Sequence, residues 1–269
     1  DVHTYDGIST IEGMGLDNLE NVYIGGRSGA YSFTGLGSPI RARTLDSLFD
    51  DYIAKWNASG AFQWYTFLGG AGNENTRGFA VDTNGNSYST GQSSVTWGSP
   101  LSAWSSDCQW YLARVNSSGT LVWNTFLNNT SVGNFHLIKL DPGGNIYLIG
   151  EYSQTWGSPD PNLPYTGSRD GQIIVLNSSG ALQWHGFLGG AGSDTVDTLS
   201  VYDADSIYIF GTSTQAWGGT STLSPWSSVN QKFIARIGLE NRAPTDISLS
   251  NNSIPENEPA DTSIGSFTT

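Results

Sequence analysis

The chain has 269 residues, a formal net charge of −13 and only 13% charged residues, with 34 glycines and 10 tryptophans. Its only lysines are Lys55, Lys139 and Lys232, which argues against a nucleic-acid partner, because phosphate binding needs clustered Lys and Arg. The single cysteine, Cys108, excludes an intrachain disulfide and is expected to be a buried structural thiol, and no apolar run is long enough to span a bilayer as a helix.

A hexapeptide recurs along the chain. Ser59-Gly60-Ala61-Phe62-Gln63-Trp64 returns as Ser118-Gly119-Thr120-Leu121-Val122-Trp123 and as Ser179-Gly180-Ala181-Leu182-Gln183-Trp184. A fixed period of about 60 residues marks one supersecondary unit copied and packed on its neighbours. Each unit reads as four short strands, named A to D from the expected inner to the expected outer position. Residues 2–5 form a strand-like segment ahead of the first unit, which has A at 13–17, B around Tyr23, C at 52–56 and D at Trp64. The second unit has A at 78–82, an Asn84-Gly85 turn, B at 86–91, C at 110–115, a turn at 116–119 and D at 121–126. Asn-Gly is a strong hairpin signal because both residues tolerate positive φ. The third unit has A at 137–141, B around Tyr147, C at 173–176 and D at Trp184. The fourth has A at 198–203, B around Tyr208 and C at 233–237, and it stops near Gly238 without a D strand.

The count suggests an all-β fold over residues 1–239: a β-propeller of four four-stranded blades. The segment 2–5 would supply the missing outer strand and close the ring. A solenoid-like stack, or a partial ring completed by a second chain, is the alternative. Residues 240–269 read as a linker and the start of a further β-sandwich, and 244–269 are too few for a domain that needs about 100 residues. A longer parent protein is therefore expected.

The block at 64–72 (Trp-x-Thr-Phe-Leu-Gly-Gly-Ala-Gly), the block at 80–88 (Ala-Val-Asp, then Gly-Asn-x-Tyr) and the block at 113–119 (Ala-Arg-Val-Asn-Ser-Ser-Gly) occur in one order. Together they resemble the bacterial β-propeller repeat called SBBP, over most of residues 1–238. That family is described as seven-bladed, whereas four units are present here, and Leu127-Asn128-Asn129-Thr130 departs from its glycine motif. The tail at 243–250, with Pro255-Glu256-Asn257-Glu258-Pro259, is similar to the opening of a bacterial cadherin-like domain. The two resemblances imply an exported, multi-domain surface protein. The second implies calcium at Glu256, although Arg242 stands where an acidic partner would be expected and a Ca²⁺ site takes six to eight oxygens.

The B–C connections are long and carry aromatics: Trp97 and Trp104, then Trp156 and Tyr165, then Trp217 and Trp226. In a propeller they share a face with the Gly-rich D–A loops at 69–72 and 189–192, and exposed aromatic platforms suit sugar rings or a protein partner. These six are the candidate ligand-binding residues. The competing explanation is packing, since core positions also repeat with the unit. Asp17, Asp82, Asp141 and Asp203 close successive A strands and read either as a carboxylate ring for a cation or as turn caps. Asn57, Asn116, Asn129 and Asn177 stand in glycosylation-type triplets, three of them at C–D turns. His3, His136 and His185 share no metal spacing, and no triad or phosphate-loop motif is present.

The expected function is that of a non-catalytic extracellular binding or structural module of a large bacterial surface protein, serving adhesion or assembly. Its partners would be a protein, a carbohydrate or copies of itself, without membrane insertion and without a resident cofactor. A polysaccharide-binding or polysaccharide-acting propeller, drawing on Asp46, Asp107, Asp170 and Arg169, is one alternative. A self-assembling filament or surface-layer subunit is the other.

Overall fold

A computed structural model describes residues 10–29, 33, 35–44, 49–105, 108–127, 133–153, 163–203, 206–216, 230–237, 248–249 and 267–268. The described residues form strands, turns and loops, with no helix among them. Sheet I contains β1 (Thr10–Leu16), β2 (Val22–Ser28), β3 (Asp50–Trp56) and β4 (Phe62–Leu68). Sheet II contains β5 (Glu74–Val81), β6 (Ser87–Ser93), β7 (Gln109–Val115) and β8 (Leu121–Phe126). Sheet III contains β9 (Asn134–Leu140), β10 (Ile146–Tyr152), β11 (Asp170–Leu176) and β12 (Leu182–Leu188). Sheet IV has three strands, β13 (Asp194–Asp203), β14 (Ser206–Ser213) and β15 (Gln231–Ile237). A short pair, β16 (Ser248–Leu249) with β17 (Phe267–Thr268), lies in the tail.

Each sheet is an antiparallel meander in chain order, matching the A-to-D assignment. Local chemistry explains the turns. Asp82 Oδ1 accepts from the Asn84 and Asn86 amides, and Gly85 takes φ of 77° to close the hairpin. At the C–D turn, Asn57 Oδ1 accepts from the Ser59 and Ala61 amides, and Asn116 and Asn177 do the same in sheets II and III. These asparagines are turn anchors, each with its amide oxygen engaged by the backbone.

The sheets stack through their first strands, β1 on β5, β5 on β9, and β13 against β9 and β10. Every sheet therefore has a leading face toward its predecessor and a trailing face toward its successor. On the leading faces of sheets II to IV, Phe79, Ile138 and Leu199 occupy one repeat position and are buried in the interfaces. On the trailing faces of sheets I to III, Tyr23, Tyr88 and Tyr147 do the same. Bulk is complementary across the first interface: Gly25 lies against the Phe79 ring, where a Cβ would approach within 2.2 Å.

The repeated tryptophan is an inter-sheet staple. Trp64 Nε1 of sheet I donates to the Ser117 carbonyl in the C–D turn of sheet II at 3.2 Å. Trp123 of sheet II donates to the Ser178 carbonyl of sheet III, also at 3.2 Å. The following glycine makes room for the ring: a Cβ on Gly119 would lie 2.9 Å from the Trp64 indole, and one on Gly180 would lie 3.2 Å from Trp123. The recurring Trp and the C–D turn, with its acceptor at Ser117 or Ser178 and its glycine two residues on, are thus the two halves of one contact, made between neighbouring units. The repeat-equivalent acceptor for Trp184 falls at Leu239, outside the described residues.

Ring closure is not formed among the described residues. The leading face of sheet I and the trailing face of sheet IV are both open, with Met14 67% and Ile234 77% exposed. The segment at 2–5, proposed as the closing strand, lies outside the described residues.

Trp123→Phe keeps a smaller aromatic ring and deletes the Nε1 donor, so it should cost about 1–2 kcal/mol, while Trp123→Ala should cost about 3–5 kcal/mol. Urea unfolding of both variants checks the split. A Trp123→Phe variant as stable as the parent would show that the hydrogen bond to sheet III adds nothing to the packing.

Candidate functional site

Of the six aromatic positions chosen from the sequence, Trp97, Trp104 and Tyr165 are among the described residues. Trp97 is 4% exposed, with its ring edge-on to Tyr111 at 5.3 Å and to Phe126 at 6.4 Å, and its carbonyl accepts from Asn124 Nδ2. It is a packing plug and presents no open ring face to a ligand. Trp104 is half-buried against the same cluster, and Tyr165 is half-buried, edge-on to Phe187 at 5.6 Å. Trp156, Trp217, Trp226 and Glu256 lie outside the described residues, as do Asp46 and Asp107.

The reason is the path of the B–C connections. They fold back along the outer strand of their own sheet. Ile40 and Arg41 bond to β4, Leu101 and Ser102 to β8, and Leu163 to β12. An outer strand with unpaired backbone groups invites foreign pairing, and these loops occupy that edge in sheets I to III. Trp97, Trp104 and Tyr165 on them pack against their own sheets, which sequence period alone does not distinguish from a ligand rim.

Several buried carboxyls lie at the end of the sheets where the B–C and D–A connections emerge. Asp51 of β3 crosses the first interface: its Oδ2 accepts from Ser89 Oγ at 2.5 Å and from Tyr111 Oη at 2.9 Å. Burial pushes its pKa up to about 7, against the lowering effect of those hydrogen bonds. Glu74, at the start of β5, accepts from Ser93 Oγ at 2.6 Å and anchors the Gly-rich loop before it, and burial pushes it up to about 8. Asp194 is its counterpart after the second Gly-rich loop, accepting from the Gly190 amide at 2.9 Å. Asp170 is buried and accepts from the Thr166 amide, with its carboxyl raised chiefly by burial. These acids hold loops and interfaces in place. Cys108 is half-buried, not fully buried as expected, and its thiol is raised by burial and by Glu74.

A small cleft of about 320 Å³ opens at the same end of sheet III, lined by Gly133, Glu151, Tyr152 and Arg169 among others, with Arg169 ion-paired to Glu151. Among the described residues no three His, Cys, Asp or Glu side chains are grouped to hold a metal ion. The aspartate-ring idea resolves into turn chemistry. Asp17, Asp82 and Asp141 each accept from an asparagine side chain of their own turn and from the tyrosine hydroxyl six residues on. The side chain of Asp203 lies outside the described residues.

One array escaped the sequence reading. All four first strands carry a β-bulge at the same repeat position, and the inserted residues are Glu12, Arg77, His136 and Asp197. Bulges re-aim side chains at sheet edges, and here they set four titratable groups along the inner strands of the stack. Asp197 pairs with Lys232 at 2.8 Å, and that contact holds its carboxyl below the usual range. The signal was a titratable residue one position before each A-strand match, at the repeat period.

Asp51 and Glu74 have folded pKa values above those of an unfolded chain, so the folded state holds extra protons between roughly pH 4 and 8 and loses stability as pH rises through that window. Asp51→Asn should therefore melt a few degrees higher than the parent at pH 8 and level with it at pH 4. Thermal melts at the two pH values check this. A variant equally destabilised at both would mean that the carboxylate itself is needed. Neither a protein-family model nor a curated protein sequence matches the chain.

Proposed function

We propose that this chain is an arc of β-propeller blades that acts as a non-catalytic structural module of a bacterial extracellular or surface protein, working through protein–protein contact. The observation that carries the reading is the use made of its repeated aromatics. Trp64 and Trp123 join one sheet to the next, and Trp97 is buried under the loop that covers an outer strand. Chemistry repeated with the unit is thus spent on stacking. The meander order of the sheets, stacked through their first strands, supports the propeller assignment. The resemblance of the repeat to exported bacterial proteins and the low charge density support the location. Calcium at Glu256 and a carbohydrate ligand belong to the alternative readings.

Among the described residues, the loop aromatics that keep some exposure, and that a polysaccharide-binding role could use, are Trp104 and Tyr165. Titration calorimetry and a glycan array with the whole chain should show no saturable sugar binding. Saturable binding lost in Trp104→Ala or Tyr165→Ala would replace the structural reading with a carbohydrate-binding one, and release of sugar from a polysaccharide would replace it with an enzymatic one.

A further inference from the structure

The two end faces of the stack are the halves of one interface type, and they are exposed in the same chain. On the leading face of sheet I, Ile11, Met14 and Leu16 are more than half exposed. The positions equivalent to Ile11 are Thr76, Phe135 and Val196, and all three are fully buried inside the stack. On the trailing face of sheet IV, Tyr208, Phe210 and Ile234 are exposed. Ile234 pairs beside Phe210 as Ile53 does beside Gly25 and Ile173 beside Ile149, and both of those isoleucines are fully buried. Three internal repetitions thus show what a leading face and a trailing face do when each finds the other.

We infer that copies of this chain associate head to tail, with the leading face of sheet I in one copy docked on the trailing face of sheet IV in the next. The occupant is argued from continuity with the internal interfaces, because the docked pair would add one more sheet-on-sheet contact of the same kind. It is argued also from bulk. At the first internal interface the bulky leading Phe79 meets the small trailing Gly25, and at the third the buried Leu199 and Ile149 occupy the same two positions. At the ends both positions are again bulky: the trailing Phe210 would meet Met14, the only methionine of the chain and an unbranched, adaptable side chain. The interface is heterologous, so each copy keeps one donor face and one acceptor face, and association runs on until a ring closes. This inference rests on the structural-module reading and gives it a partner, a second copy. Sugar binding would overturn that reading while leaving the test below to decide self-association separately.

Sedimentation velocity on the whole chain, across micromolar to near-millimolar concentrations, should show reversible association. Met14→Asp and Ile234→Asp alter exposed side chains, and circular dichroism should confirm that both variants fold. Each variant alone should raise the association midpoint about tenfold or more, since docking would bury an unpaired charge. An equimolar mixture should form a one-to-one complex and nothing larger, because one variant retains a working trailing face and the other a working leading face. A monomer at every concentration would overturn the inference, and if Met14→Asp also lowered its melting temperature, the faces would belong to closure within one chain. Association that neither variant weakens would overturn it as well.

Discussion

A β-sheet with one apolar face can end against water without loss, but a sheet with two leaves apolar area exposed unless both faces are covered. Sheets I to IV are of the second kind. Tyr23, Tyr88 and Tyr147 are buried on their trailing faces, and Phe79, Ile138 and Leu199 on the opposite, leading faces. Apolar area removed from water is worth about 25 cal/mol per Å², so each sheet gains most by being sandwiched. The rest of the architecture follows from that demand. Stacking is propagated from unit to unit, stability is shared between nearest neighbours, and the first and last faces inherit an unmet version of the same requirement.

Directional contacts set the register of this stacking. The indole of one sheet reaches the C–D turn carbonyl of the next, and the turn glycine leaves space for the ring. A basic residue beside the indole adds to the contact: Lys55 lies over the Tyr23 ring and also donates to the Ser117 carbonyl, and Arg114 repeats this with Tyr88 and Ser178. The first interface differs from the others in carrying Asp51, whose repeat equivalents are Trp110 and Gly171. A raised carboxyl hydrogen-bonded to Ser89 and Tyr111 makes this interface sensitive to proton concentration, where the next relies on the Trp110 indole donating to the Gly133 carbonyl. The repeat is therefore uniform in geometry and not in chemistry.

Most strands were legible because their signals are local. Asn-Gly and Asn-Ser-Ser-Gly turns, alternating apolar residues and the repeat period placed β6 to β8 within about two residues. The first strands were less well placed. β5 begins at Glu74, four residues before its expected start at 78, because a bulge interrupts its alternation at Arg77. The loops were hardest to read. Trp97 looks the same in sequence whether its ring faces a ligand or Tyr111, and the choice depends on a connection folding back along β8, a contact made far from the turn residues that advertise it.

By itself the sequence determined the all-β class, the unit length, the strand order within a unit and the turn roles of Asp82, Asn116 and their equivalents, since each depends on residues only a few positions apart. Only the tertiary structure decided that the repeated tryptophan belongs to the contact between units, that the B–C connections of sheets I to III cover outer strands with Trp97 packed inward, and that Met14 and Ile234 stand exposed where their equivalents are buried. Those facts concern which face meets which. A repeating sequence leaves that open, because every unit carries both halves of the interface and nothing local says which half will go without a partner.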